Sequence, residues 1–346
     1  MIGIYAICYI LFPVVVLAKI KKVSGTVLLD KDDIDVIKGI ATCFVMIAHM
    51  INELKISEVK ISSFLDIFTV TGGMGVLLFF FVSGYGIYKG YSDRKPTWKF
   101  WKRRLIKMYI PCILIQFSFS LIDTWQLRDI EVETILLRSF LGAWFIDVIL
   151  IEYIIFFVAW ILSKNNKSIL IGLSFVLSII VAVMFWYFDF DPRWYNGLLL
   201  FPIGMLFAWK EKRICNYIEC KWFKCLLSYF IMFLVFGGGF TFGKGSLWAD
   251  FLKVGAGICL CMIVCIIYRK VKIDSIIMKF IGRKSLYFYL IHLGWIGIFS
   301  RIDTINVLYE TYFIVILTFI EVEIFYRLYN KNIERIGKDR GHSSYI

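Results

Sequence analysis

Ile34-Asp35-Val36-Ile37-Lys38-Gly39-Ile40-Ala41-Thr42-Cys43-Phe44-Val45-Met46-Ile47-Ala48-His49 is an apolar stretch that nevertheless carries three ionisable side chains, Asp35, Lys38 and His49. With its flanks it is long enough, as a helix, to cross a hydrocarbon core about 30 Å thick. Ionisable groups are costly in lipid, so they mark either a function or a buried partner. Lys38 and His49 are eleven positions apart, which at about 100° per residue puts them on one helix face, about 16 Å apart along the axis. Asp35 is one turn from Lys38 and is expected to pair with it. Such a face would present a cation near one mouth and an imidazole deeper inside. Histidine changes charge near neutral pH and can take a proton from a hydroxyl. The plainer alternative is a snorkelling lysine and a histidine bonded to a neighbouring helix.

The rest of the chain has the same apolar character. Of 346 residues 60% are hydrophobic and 19% charged, with a mean hydropathy of +0.77, against about 45–50% and about 25% for a soluble domain. That excludes water-soluble, disordered and disulfide-scaffold classes. Apolar runs fall at 2–20, 34–52, 64–88, 105–123, 141–162, 168–188, 195–209, 225–241, 247–268, 285–300 and 306–328. The expected fold is an all-α integral membrane protein of about 10–11 transmembrane helices in one bundle. The short runs at 195–209 and 285–300 are candidates to tilt little or re-enter. Almost no period-2 alternation occurs, which argues against a membrane barrel.

Lys and Arg set the expected orientation. One set of span ends carries 29 of them and the opposite set 7. Basic loops stay in the cytoplasm, so the amino terminus is expected outside and the carboxyl terminus inside. The net charge of +13 is then topological, and no nucleic-acid partner is expected. Residues 1–24 read as an uncleaved extra transmembrane helix, because the lysines follow the apolar run instead of preceding it. Residues 30–330 form the main membrane domain, and 331–346 a short basic cytoplasmic tail. The nine cysteines lie in spans or cytoplasmic loops, so no disulfide is expected. Cys215, Cys220 and Cys225 lack the tight spacing of a zinc site, and no metal is expected. Gly72, Gly73 and Gly75 read as close helix contacts, and Gly237-Gly238-Gly239 as a turn at an outer span end. Asp147, Glu152, Asp250, Glu321 and Glu323 are acids within spans whose partners the sequence does not name. The oligomeric state is left open.

The Asp35-x-x-Lys38-Gly39-Ile40-Ala41 run and the Lys38-x10-His49 spacing resemble the first conserved helix of the membrane-bound acyltransferase-3 family, mostly bacterial O-acetyltransferases. Gly75-Val76-Leu77-Leu78-Phe79-Phe80-Phe81-Val82-Ser83-Gly84 is similar to the family's Gly-x-x-x-Phe-Phe-x-x-Ser-Gly helix. Phe100 to Pro111, with Arg103-Arg104, resembles its Phe-x-x-Arg-Arg stretch. Trp144-Phe145 resembles its Trp-Phe pair, and Ser285-Leu286-x-x-Tyr289-x-x-His292 its late Ser-Leu-x-x-Tyr-x-x-His helix. Departures are the extra first span, Leu77 and Ala143 where relatives often carry polar residues, and Lys38 where arginine is commoner.

The resemblance implies a membrane O-acyltransferase that takes acetyl from cytoplasmic acetyl-CoA to a hydroxyl of an envelope or exported saccharide, in the bacterial cytoplasmic membrane. His49 would be the general base. Lys38, Arg103 and Arg104 would meet the nucleotide phosphates, since guanidinium groups bind phosphate by charge-assisted hydrogen bonds. Asp35, Ser83, Trp144, Tyr289 and His292 are candidates to line the substrate channel. Ser83 suits helix packing equally well. The expected partners are membrane lipids and the hydroxyl acceptor. A function of another class also fits the spans: an exporter or transporter of a small molecule or glycan, with His49 and the buried acids as a proton relay.

Overall fold

The computed structural model describes residues 20–22, 27–57, 67–91, 93, 94, 96–127, 133, 143–243, 246–301 and 307–339. The first expected span, 2–20, lies outside them but for Ile20, and so do the tail residues beyond Asp339. Among the described residues the fold is helical apart from one small ribbon. In it, β1 (Ile20–Lys22) pairs antiparallel with β2 (Val271–Ile273), Lys21 opposite Lys272.

The quoted stretch lies in one unbroken helix, α1 (Lys31–Ile56). Its start is fixed by a capping box, Asp33 N–H donating to Asp30 Oδ1 at 2.8 Å and Asp30 N–H to Asp33 Oδ2 at 2.9 Å, which satisfies two otherwise orphaned donors. α2 (Thr71–Tyr91) follows. α3 (Trp98–Arg104) runs through a π-turn over Leu105–Tyr109 into α4 (Ile110–Leu127). In that register the Ile106 carbonyl would be served by the N–H of Pro111, which has none. The Tyr329 hydroxyl donates to it instead, at 2.5 Å.

The remaining helices are α5 (Trp144–Leu162), α6 (Lys167–Tyr187), α7 (Leu200–Trp209), α8 (Glu211–Phe242), α9 (Leu247–Tyr268), α10 (Ile276–Arg283), α11 (Ser285–Phe299) and α12 (Val307–Asp339). Among the described residues seven helical segments are long and apolar enough to cross a membrane. The two short spans are indeed short helices. α7, ten residues and about 15 Å long, is nearly all buried in the bundle, where irregular backbone at its ends can be satisfied by protein. The outward faces suit lipid: Val176, Ile179, Ile180 and Val183 form an exposed apolar stripe on α6.

Two expectations on α8 are corrected. Residues 210–224, taken as a loop, are helical from Glu211 onward, broken only by a non-helical Lys221 (φ −138°, ψ 32°). This first part is amphipathic, burying Cys215 and Ile218 while Lys212 and Arg213 stay outside. Gly237-Gly238-Gly239 is not a turn; the helix continues to Phe242. Glycine costs a helix only about 1 kcal/mol, and Gly239 lies against Leu252 while Gly255 lies against Phe236, letting α8 and α9 pack closely.

Backbone contact at glycine holds the bundle together around α1. A Cβ on Gly39 would collide with the Met278 carbonyl of α10, and one on Gly282 with the Asp35 carbonyl of α1. One on Gly75 would sit 2.6 Å from the Ala41 oxygen, and one on Gly72 would be 2.8 Å from the Ala48 Cβ. Gly84 of α2 and Gly204 of α7 make a reciprocal contact of the same kind, with the carbonyls of Phe201 and Phe81. Gly73 differs, facing Lys253 across a gap. Thus α1 is clasped between α2 and α10, with α11 along the same side.

Candidate active site

Glycine packing of α1 brings α11 beside it, and with α11 comes His292. The Nδ1 of His49 lies 2.9 Å from Nε2 of His292, the two rings 18° from coplanar and their centroids 5.2 Å apart. Nδ1 of His292 lies 2.6 Å from the Phe288 carbonyl. A carbonyl only accepts, so His292 carries its proton on Nδ1 and, when neutral, offers Nε2 as an acceptor. His49 must then donate from Nδ1, which leaves the lone pair on its Nε2. The chain carbonyl–His292–His49 therefore fixes the tautomer that a proton acceptor needs. His292 is fully buried and His49 partly so.

Tyr289, one turn before His292, stacks edge-on to it with centroids 6.2 Å apart, and packs on Phe145. Phe145 is buried against Phe79 and Phe80, and Trp144 rests on its edge. The Trp-Phe pair and the aromatic run of α2 thus back Tyr289, which in turn packs on His292. Asp147, at the start of α5, has one buried oxygen with no hydrogen-bond partner and lies within electrostatic reach of Tyr109, Cys112 and Tyr289.

The loop between α6 and α7 closes the same end. Arg193 is bidentate to Asp191, Nε to Oδ1 at 2.9 Å and Nη2 to Oδ2 at 3.0 Å. That hydrogen bonding holds the Asp191 carboxyl below its ordinary range and raises the Arg193 guanidinium. Asp250 accepts from Asn196 at 2.8 Å and Tyr195 at 3.3 Å. Arg193 acts electrostatically on His49, Tyr289 and Lys253.

Lys38 stands at the opposite end of α1. The expected Asp35–Lys38 pair is not formed as an ion pair. Asp35 accepts from Arg283 Nε at 2.9 Å, because the Gly39–Gly282 contact brings the end of α10 over the first turns of α1. Lys279 pairs with Asp32 at 2.6 Å and Asp274 at 2.8 Å, and Lys272 pairs with Asp30. Among the described residues nothing pairs with the Lys38 ammonium, which stays within electrostatic reach of Asp35.

Arg103 and Arg104 part company. Arg103 is exposed. Arg104 turns inward over the rings of Phe100 (3.7 Å), Tyr153 (4.6 Å) and Tyr91 (5.4 Å), with Nη1 near the Phe100 carbonyl at 3.4 Å and Nε buried without a partner. Ser83 lies beside Tyr153, whose ring is under this arginine, so it adjoins Arg104. The remaining span acids find partners: Glu152 with Ser178 at 3.1 Å, Glu321 with Trp295 at 2.8 Å, and Glu323 with Lys284 and Arg327. Among the described residues no three His, Cys, Asp or Glu side chains gather as a metal would require.

Sequence reasoning placed His49, His292 and Tyr289 in one channel without bringing them into contact. It missed Arg193 and Lys253, whose lone charges in apolar or loop surroundings were the available signal.

Fold and site together define a multi-pass helical membrane protein with a histidine pair within its helix bundle. The sequence profile described as "Acyltransferase domain" (Acyl_transf_3) matches residues 31–322. The chain therefore belongs to the acyltransferase-3 family and is a membrane acyltransferase. The match begins at the first residue of α1 and ends within α12, so it takes in the Lys38 and His49 ends alike. No curated protein and no solved structure matches the chain.

Proposed function

We propose that this protein is an O-acetyltransferase of the bacterial cytoplasmic membrane, moving acetyl from acetyl-CoA to a hydroxyl of an envelope or exported saccharide. The observation that carries the proposal is the Phe288–His292–His49 hydrogen-bond chain, which leaves His49 Nε2 as a free proton acceptor. His49 Nε2 takes the acceptor's proton as the hydroxyl oxygen attacks the thioester carbonyl; the C–S bond breaks, and the proton passes to the departing thiolate. The products are the acetyl ester and free coenzyme A. Such a base contributes about 10²–10⁴-fold. His292 acts as a positioning residue, through His49.

Support for acetyl-CoA as donor comes from the Lys38 end. Lys38 is uncommitted, Arg103 is exposed, and the buried Arg104 Nε lacks a partner, a donor set suited to phosphate oxygens. Lys38 lies eleven residues from His49 in a continuous helix, about 16 Å along the axis, a gap that an extended pantetheine arm can bridge. The excess of Lys and Arg on the Lys38 side supports placing that end in the cytoplasm. The acceptor then approaches from the His49 end.

The test is release of free thiol from acetyl-CoA by purified protein in liposomes, with an envelope glycan extract as acceptor. Wild type should release thiol, and His49→Ala should lose about 10²-fold or more while accumulating normally. Equal release by both proteins would refute His49 as base. No release from wild type, with acetyl-CoA failing to stabilise the protein, would refute the acetyltransferase and favour a transporter.

A further inference from the structure

Lys253 lies in the second turn of α9, half-buried in an otherwise apolar helix. A charge there is costly unless something answers it. Among the described residues its ammonium has no ion pair and no hydrogen bond; its one ring contact is Phe240, with the centroid 5.7 Å away. Two carboxylates are near enough to act on it, Asp250 and Asp191, yet each is hydrogen bonded to another group. Asp250, one turn before it, is held by Asn196 and Tyr195 from the loop. Both oxygens of Asp191 are taken by Arg193. Two acids thus lie near this lysine, each hydrogen bonded to other groups and neither in an ion pair with it.

Gly73 of α2 faces Lys253, and a Cβ there would stand in ordinary contact, 3.6 Å from Cε and 4.0 Å from Nζ. Gly72, the next residue, packs on Ala48, the neighbour of His49 in α1. Arg193 acts on both His49 and Lys253. Lys253 therefore stands at the His49 end of the bundle, reached from the base through two adjoining contacts.

We infer that Lys253, flanked by Arg193, forms an anion subsite that takes the acidic group of a negatively charged saccharide acceptor, a carboxylate or a phosphate, and so sets its hydroxyl against His49. This deepens the acetyltransferase proposal and rests on it. Lys253, Arg193, Asp191 and Asp250 sum to no net charge, so the site is not a general sink for polyanions. What it offers is three unmet N–H donors at one point, which suits a single acidic group.

The experiment uses the full-length protein in detergent and reads thermal unfolding against increasing glucuronate, glucose 1-phosphate or methyl glucoside. Ligands that bind the folded state raise the midpoint with concentration. The expected result is that an acidic sugar binds about tenfold tighter or better than methyl glucoside. Lys253→Gln should abolish that preference and Lys253→Arg should keep it. A stronger response to glucuronate assigns a carboxylate, and to glucose 1-phosphate a phosphate. Asn196→Ala leaves Lys253 in place but releases Asp250 towards it, and should also weaken the preference; it carries the test if Lys253→Gln does not accumulate. Equal binding of neutral and acidic sugars, no binding of either, or an acidic preference that survives Lys253→Gln would overturn the subsite. Thiol release from acetyl-CoA is measured on the same samples. A Lys253-dependent preference without any acetyl transfer would leave the subsite standing and sink the acetyltransferase proposal.

Discussion

Replacing His292 by phenylalanine keeps a ring in the space between α1 and α11 and removes the acceptor for His49 Nδ1–H, now 2.9 Å away. His49 then loses one hydrogen bond, and its partly buried N–H is left unmet, which costs about 1–3 kcal/mol. It can escape by moving the proton to Nε2, which is the nitrogen that must be free, or by rotating the ring out of line. Either way the productive state is disfavoured by that same energy, so kcat should fall by about 5- to 150-fold. KM for acetyl-CoA should not move, because Lys38 and the arginines lie at the other end of α1. His292→Gln is the discriminating companion: its amide oxygen can stand near the old Nε2 position and accept from His49, so it should recover most of the loss. Initial rates of thiol release at saturating acetyl-CoA, on protein shown to be monodisperse, give both numbers. Full activity in His292→Phe would refute the tautomer assignment. A His292→Gln variant as poor as His292→Phe would show that ring packing, not the hydrogen bond, is what matters.

Four further outcomes follow from particular contacts. Gly282→Ala should lower the thermal midpoint, since its Cβ meets the Asp35 backbone and overpacking costs about 1–3 kcal/mol. Gly86→Ala, in α2 with nothing within 4 Å, should instead gain up to about 1 kcal/mol of helix propensity. Tyr329→Phe orphans the Ile106 carbonyl and should cost about 1–2 kcal/mol; with Pro111→Ala, which restores a backbone N–H, that cost should shrink, a coupling that a double-mutant cycle measures. Asp191, held by Arg193 below its usual 3.8, contributes its stabilisation fully above that value and loses it as pH falls through the lower folded-state value. Asp191→Asn should therefore melt below wild type at pH 6, by less than about 1 kcal/mol for so exposed a pair, and the two midpoints should converge as pH falls through the lowered folded-state value.

How much of this was legible in the sequence depended on the range of the signal. Lys38 and His49 sit on one helix, so a count of eleven residues sufficed to put them on one face. Span positions were equally local, since hydropathy reads a stretch without knowing its neighbours, and α7 and α11 came out short because their runs are short. The errors came where local patterns mislead. Three consecutive glycines look like a turn, yet α8 continues through them, with Gly239 lying against Leu252 of α9. Asp35 looks committed to Lys38 one turn away, until α10 brings Arg283 from 248 residues off. Two glycines explain that switch, Gly39 of the Lys38-Gly39-Ile40-Ala41 run and Gly282, three residues before the Ser285 that opens the late motif. Gly39 and Gly282 are the two sides of one backbone contact, so what sequence shows as two separate motifs is a single clasp between α1 and α10. The clasp does more than hold helices. It fixes α1 against α10, and α11 begins directly after α10, so the same contact that takes Asp35 away from Lys38 sets the height at which His292 meets His49. One packing feature thus leaves a cation uncommitted at one end of α1 and sets His49 against His292 at the other, and neither consequence can be read from either motif alone.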